Sequence, residues 1–107
     1  RGNAAVSALA TPFQPALLRA VGAVVDAAHA HGLPVAVCGE MAGDPRLTRL
    51  LLGMGLRQFS MHPAQILEVK QEVLRSNLAD LRRKVGRLLN TDDPARLRQQ
   101  LERLNAI

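Results

Sequence analysis

Residues 33–37 read Leu-Pro-Val-Ala-Val, an apolar run without alternation, set between two segments of helical periodicity. No other feature of the chain constrains its fold as strongly. A strand exposed on one face alternates apolar and polar residues, whereas a strand covered on both faces does not. The run therefore predicts a short, fully buried strand. Helix before and helix after make it part of a parallel βα arrangement joined by right-handed crossovers. The preceding helix is expected over about 15–31, with Leu17, Leu18, Val21, Val24, Val25 and Ala28 on one stripe, ending at Gly32. The following helix is expected from Pro45 to about Met54, with Leu47, Leu50, Leu51 and Met54 inward and a Gly-Met-Gly ending. A second strand is read at 56–61 (Leu-Arg-Gln-Phe-Ser-Met), then helices at about 63–76, 78–89 and 94–104. The last two carry Leu78, Leu81, Val85, Leu88 and Leu89, then Leu97, Leu101 and Leu104.

Prolines mark the helix starts. Pro15, Pro45, Pro63 and Pro94 each precede a helical pattern, and proline suits the first helical position because its missing N–H would be unpaired there anyway. Asp44, His62 and Asp93 stand just before three of them as expected N-caps.

Two strands make no self-sufficient parallel sheet, since both faces and both edges need cover. The 107 residues suffice for one modest domain. They read as part of a larger α/β protein, two βα units being a quarter of a (β/α)8 barrel. The opening Arg-Gly-Asn-Ala-Ala-Val lacks an initiating Met and any secretory pattern, as expected of a piece of a longer polypeptide. No run reaches the roughly 18 apolar residues of a membrane helix; Arg19 and Asp26 interrupt the nearest. One cysteine excludes an internal disulfide and fits a reducing cytoplasm. The net charge is +5, and from Arg75 onward eight basic residues face four acids. With no aromatic among those charges to stack on bases, they read as a solvated helix face and not as a nucleic-acid surface.

Reactive groups of parallel α/β folds gather after the carboxyl ends of the strands. Cys38, Gly39 and Glu40 occupy that position after the first strand, in a glycine-rich turn, and Ser60 and Met61 after the second. A thiol there can act as a general acid or as a nucleophile. A small buried hydrophobe closing the strand is the other reading, and position alone leaves both open. His29, His31 and His62 lack metal-ligand spacing, and Glu40 and Asp44 in a turn are not held as a catalytic pair.

The stretch Cys38 to Met61, CGEMAGDPRLTRLLLGMGLRQFSM, closely resembles the C-terminal part of the phosphoenolpyruvate-protein phosphotransferase family, which starts the bacterial sugar phosphotransferase system. Arg1, Gly2 and Asn3 resemble the end of that family's Asp-Arg-Gly-Asn motif. The resemblance implies that residues 1–107 are the C-terminal part of a phosphoenolpyruvate (PEP)-binding (β/α)8 barrel with extra closing helices, helix-rich when excised, and no second domain. It implies PEP as substrate, Mg2+ as cofactor, a phosphocarrier protein as partner reached through an absent N-terminal domain, and a homodimer. Cys38 is then the proton donor to the enolate and Arg1 a contact of the substrate phosphate. Glu40 is a candidate orienter of the loop or thiol. The phosphohistidine and the Mg2+-binding acids are expected upstream of Arg1, so this chain alone is expected to be inactive, with no metal ligands of its own. The basic tail after Ser76 resembles the family poorly and reads as closing helices. A non-catalytic dimerisation or regulatory module, or part of a related PEP synthase or pyruvate phosphate dikinase, is the alternative.

Overall fold

The computed structural model describes residues 14–106. In chain order these form α1 (Pro15–Ala30), β1 (Ala36–Val37), α2 (Gly39–Gly43), α3 (Pro45–Met54) and β2 (Gln58–Phe59). A 3-10 turn (Pro63–Gln65), α4 (Ile66–Leu74), α5 (Leu78–Leu88) and α6 (Pro94–Asn105) complete the fold. The helix-rich α/β order agrees with the sequence. Two strands cannot display an eight-stranded closure, so the described residues show an α/β unit with a small parallel sheet.

All four prolines open their elements. The expected caps form: Asp44 Oδ1 accepts from Arg46 N–H at 3.0 Å, His62 Nδ1 from Ala64 N–H at 3.3 Å, and Asp93 Oδ1 from Ala95 N–H at 3.0 Å. The Asp44 and Asp93 caps each stabilise their helix by about 1 kcal/mol. Asn77, which the sequence pattern does not single out, caps α5 by accepting from Asp80 N–H at 3.1 Å. The helix ends follow from glycine. After α1, Gly32 takes φ +64°, Gly32 N–H donates to His29 O at 3.1 Å and Leu33 N–H to Ala28 O at 2.8 Å. Gly55 ends α3 in the same way, with φ +111° and a bond from Leu56 N–H to Leu51 O at 3.1 Å. These paired bonds use up carbonyls that a helix end otherwise leaves unpaired, and the positive φ suits a residue without Cβ.

Helix α3 is the centre of the core, with every residue from Leu47 to Met54 buried. Against it lie Leu18 and Val25 of α1, Leu81, Val85 and Leu88 of α5, and Leu97, Leu101 and Leu104 of α6. Burial of each such side chain favours folding by about 1.5–3 kcal/mol. Arg49, in the middle of α3, is 1% exposed. Its Nη1 donates to Leu104 O at 2.9 Å, and its Nε lies 3.2 Å from Glu72 Oε2, in ion-pair range but out of line for a hydrogen bond. One side chain therefore ties α3 to both α4 and α6.

Three expectations are corrected. The first strand is not fully buried: Leu33 is 58% exposed, Ala36 is exposed and Val37 half-buried. An unbroken apolar run marks residues suited to cover on both faces, and the described residues supply that cover incompletely. The second strand shrinks from 56–61 to Gln58–Phe59, because Leu56 is spent on the buried end of α3. Val24 and Leu78, placed on inward stripes, are 62% and 42% exposed.

Candidate active site

Strands β1 and β2 pair in parallel, Ala36 opposite Gln58 and Val37 opposite Phe59. Running one step further in that register, Cys38 and Ser60 leave the sheet side by side at its carboxyl edge. Ser60 N–H donates to Val37 O at 2.9 Å and closes the ladder there. In open α/β sheets this is the edge where ligands bind.

Cys38 is exposed, so it is not the buried hydrophobe that one reading of the sequence allowed. Its backbone is extended, at φ −135° and ψ 176°, and it is the N-cap residue of α2. Gly39 then turns the chain with φ +75°, a conformation that a side-chain-bearing residue reaches only with strain. Residues 39–43, expected as a turn, form a short helix. Two glycines disfavour a helix locally, but Met41 is half-buried and Ala42 and Gly43 are buried, so packing decides the conformation. Glu40 lies exposed in the first turn of α2, two residues from the thiol.

Asp44 has another task. Arg46 Nε donates to its Oδ1 at 3.0 Å and Arg46 Nη2 to its Oδ2 at 2.7 Å, while the same carboxylate caps α3. The Arg46 hydrogen bonds hold the Asp44 carboxyl below its ordinary value of 3.8, against an opposing push from burial. A carboxylate engaged in this way holds the start of α3 in place.

Sequence pattern gives no hint of Gln65. Its side chain lies directly against buried Gly43, so the turn after β2 touches the loop after β1. The only local signal is the proline-led turn that presents it.

Arg1 lies outside the described residues. Among the described residues no three His, Cys, Asp or Glu side chains gather in a way that could hold a metal ion. His62 is occupied as a cap, and His29 and His31 close α1. A groove of about 560 Å³ lies between α3 and α6, lined by Arg46, Arg98, Leu101, Glu102, Asn105 and Ala106; Cys38 is not among its lining residues. No helix among the described residues is long and apolar enough to cross a membrane.

A family model described as PEP-utilising enzyme, PEP-binding domain, matches residues 1–78. The chain is 54% identical over 94 residues to a phosphoenolpyruvate-protein phosphotransferase of Cupriavidus necator, covering 88% of this chain and 16% of that protein. Proteins of the same name from Haloferax volcanii (45% over 101 residues; 94% of this chain, 18% of that protein) and Haemophilus influenzae (38% over 102 residues; 95% and 18%) are also similar. The chain thus spans less than a fifth of the length of these relatives. The family model stops at residue 78, in line with the poor resemblance expected of the tail after Ser76, although these alignments extend past it. The chain belongs to the PEP-utilising enzymes, matching their PEP-binding domain.

Proposed function

We propose that residues 1–107 are the C-terminal part of the (β/α)8 barrel of a phosphoenolpyruvate-protein phosphotransferase. In the complete enzyme the phosphoryl group of PEP passes to a protein histidine and on to a small phosphocarrier protein, in support of sugar uptake, and pyruvate is released. The enzyme works in the cytoplasm, as the single free cysteine supports. It is a homodimer. The exposed apolar residues Ile66, Leu67, Val73 and Leu74 on α4 support association. Mg2+ and the phosphorylated histidine are held by residues outside this chain. Charge neutralisation around the transferring phosphoryl group supplies most of the catalysis in such reactions, so this chain alone is inactive.

Within this scheme the chain supplies the last proton. The thiol of Cys38 gives its proton to the methylene carbon of the enolate: the Sγ–H bond breaks, the enolate electron pair forms the new C–H bond, and the thiolate recovers a proton from water. Arg1 contacts the substrate phosphate through its planar fork of donors. Glu40 orients the loop or the thiol. The observation that carries this function is the exposed Cys38 at the carboxyl edge of a parallel strand pair, followed by Gly39 at φ +75°. In the complete enzyme, Cys38→Ala is expected to leave PEP binding near parental while slowing pyruvate formation by about 10²-fold or more. Turnover at the parental rate would remove the acid role.

A further inference from the structure

We propose that Gln65 is a positioning residue for Cys38, acting through Gly43. This role rests on proton donation by Cys38. The thiol stands between two backbone anchors six residues apart. On one side Val37 O accepts the Ser60 N–H at 2.9 Å. On the other, the Gln65 amide occupies the space beside Gly43. A methyl group on Gly43 would stand 2.1 Å from Gln65 Oε1, 2.4 Å from its Cδ and 2.8 Å from its Nε2. Contacts between such atoms settle near 3.5–4.0 Å, so no other residue fits at 43 while the amide keeps its place.

Both anchors come from one short segment, residues 60–65, that leaves β2. The segment has its own supports: the His62 ring accepts the Ala64 N–H, Pro63 fixes its own φ, and Gln65 N–H donates to His62 O at 2.9 Å. Between the anchors, α2 is five residues long, or about 6 Å from first Cα to last. Holding its last residue therefore fixes the direction in which Cys38 enters its first. The downstream side is fixed too, since the Asp44 cap leads directly into the buried α3. The amide thus constrains the backbone that carries the thiol, and a small displacement of a reacting group is enough to slow a proton transfer.

Because the amide ends a flexible side chain, Gly43→Ala would push it aside and leave the fold standing. Gly43→Ala and Gln65→Ala should therefore act alike. Each should raise hydrogen exchange of the α2 amides about tenfold in this chain, with the exchange of α3 unchanged. Gln65→Met, which keeps the bulk against Gly43, should exchange at the parental rate. In the complete enzyme, Gln65→Ala should slow pyruvate formation in a single turnover by on the order of tenfold, with KM for PEP near parental. In a Cys38→Ala background the same substitution should change nothing further. Parental α2 exchange in Gln65→Ala, rapid exchange in Gln65→Met, or a full tenfold loss that persists without Cys38, would each overturn the proposal. Should Cys38→Ala itself turn over normally, proton donation fails instead. The exchange comparison then decides alone whether Gln65 holds the loop.

Discussion

Alanine at Gly53 is expected to destabilise the fold, although the position is helical and alanine is the better helix former. Gly→Ala inside a helix ordinarily gains about 1 kcal/mol from propensity and from the stiffer unfolded chain. At Gly53 the new methyl would stand 2.4 Å from Val85 Cγ2, 2.8 Å from Leu81 O and 2.9 Å from Val85 Cβ. Val85 is 1% exposed and stiff at χ1, and Leu81 O is backbone, so neither can turn away. Helix α5 must back off, which loosens Leu81, Val85 and Leu88 against α3. Overpacking of this kind costs about 1–3 kcal/mol, and more than one overlap puts it toward the upper end. The net expectation is a loss of about 1–2 kcal/mol. Gly86 is the control: it lies exposed in α5, and nothing comes within 4 Å of the place its new methyl would take. Gly86→Ala should therefore gain about 0.5–1 kcal/mol. Urea unfolding followed by far-ultraviolet circular dichroism reads both as shifts in midpoint. Midpoints that move the same way for the two variants would refute the close α3–α5 crossing.

Breaking the Arg49–Glu72 pair tests the tie between α3, α4 and α6. Arg49→Met should cost about 2–3 kcal/mol, below the ~3–5 kcal/mol of a fully buried pair because the Glu72 side chain is 21% exposed. Arg49→Met with Glu72→Met should recover much of that loss; unfolding midpoints equal to the parental one in the single variant would count against the tie. Asp44 predicts a pH effect. Its folded value lies below its unfolded one, so its contribution is present above about pH 4 and disappears as the pH falls through the folded value. Asp44→Asn keeps a capping oxygen but cannot titrate, so its stability should fall less steeply in that acid window, and parallel curves for the two proteins would contradict the Arg46 contact.

The parts of the fold legible in the sequence are those fixed by single residues acting locally. Pro15, Pro45, Pro63 and Pro94 open helices because their own geometry allows little else, and Asp44, His62 and Asp93 cap because a side-chain acceptor meets a free N–H two residues on. What depends on distant partners was not legible. Nothing near Arg49 shows that Glu72 and Leu104 will receive it, and nothing near Gly43 shows that Gln65 will fill the space beside it. The short α2 escaped for the same reason, since it is held by burial of Ala42 and Gly43 against a local preference for a turn. At the site, the strand-end position of Cys38 was readable from the order of elements. Its exposure was not, because cysteine packs as readily as it reacts.

The central claim, that Cys38 hands the enolate its proton, is tested most directly by the face on which the proton arrives. A PEP analogue carrying one methyl group on the methylene carbon, turned over in deuterium oxide by the complete enzyme, yields a product with a stereogenic carbon bearing deuterium. A positioned thiol delivers to one face only, so the parental enzyme should give a single stereoisomer. Cys38→Ala, leaving protonation to water, should give both isomers at a much lower rate. A single stereoisomer formed at the parental rate without the thiol would contradict the assignment of Cys38.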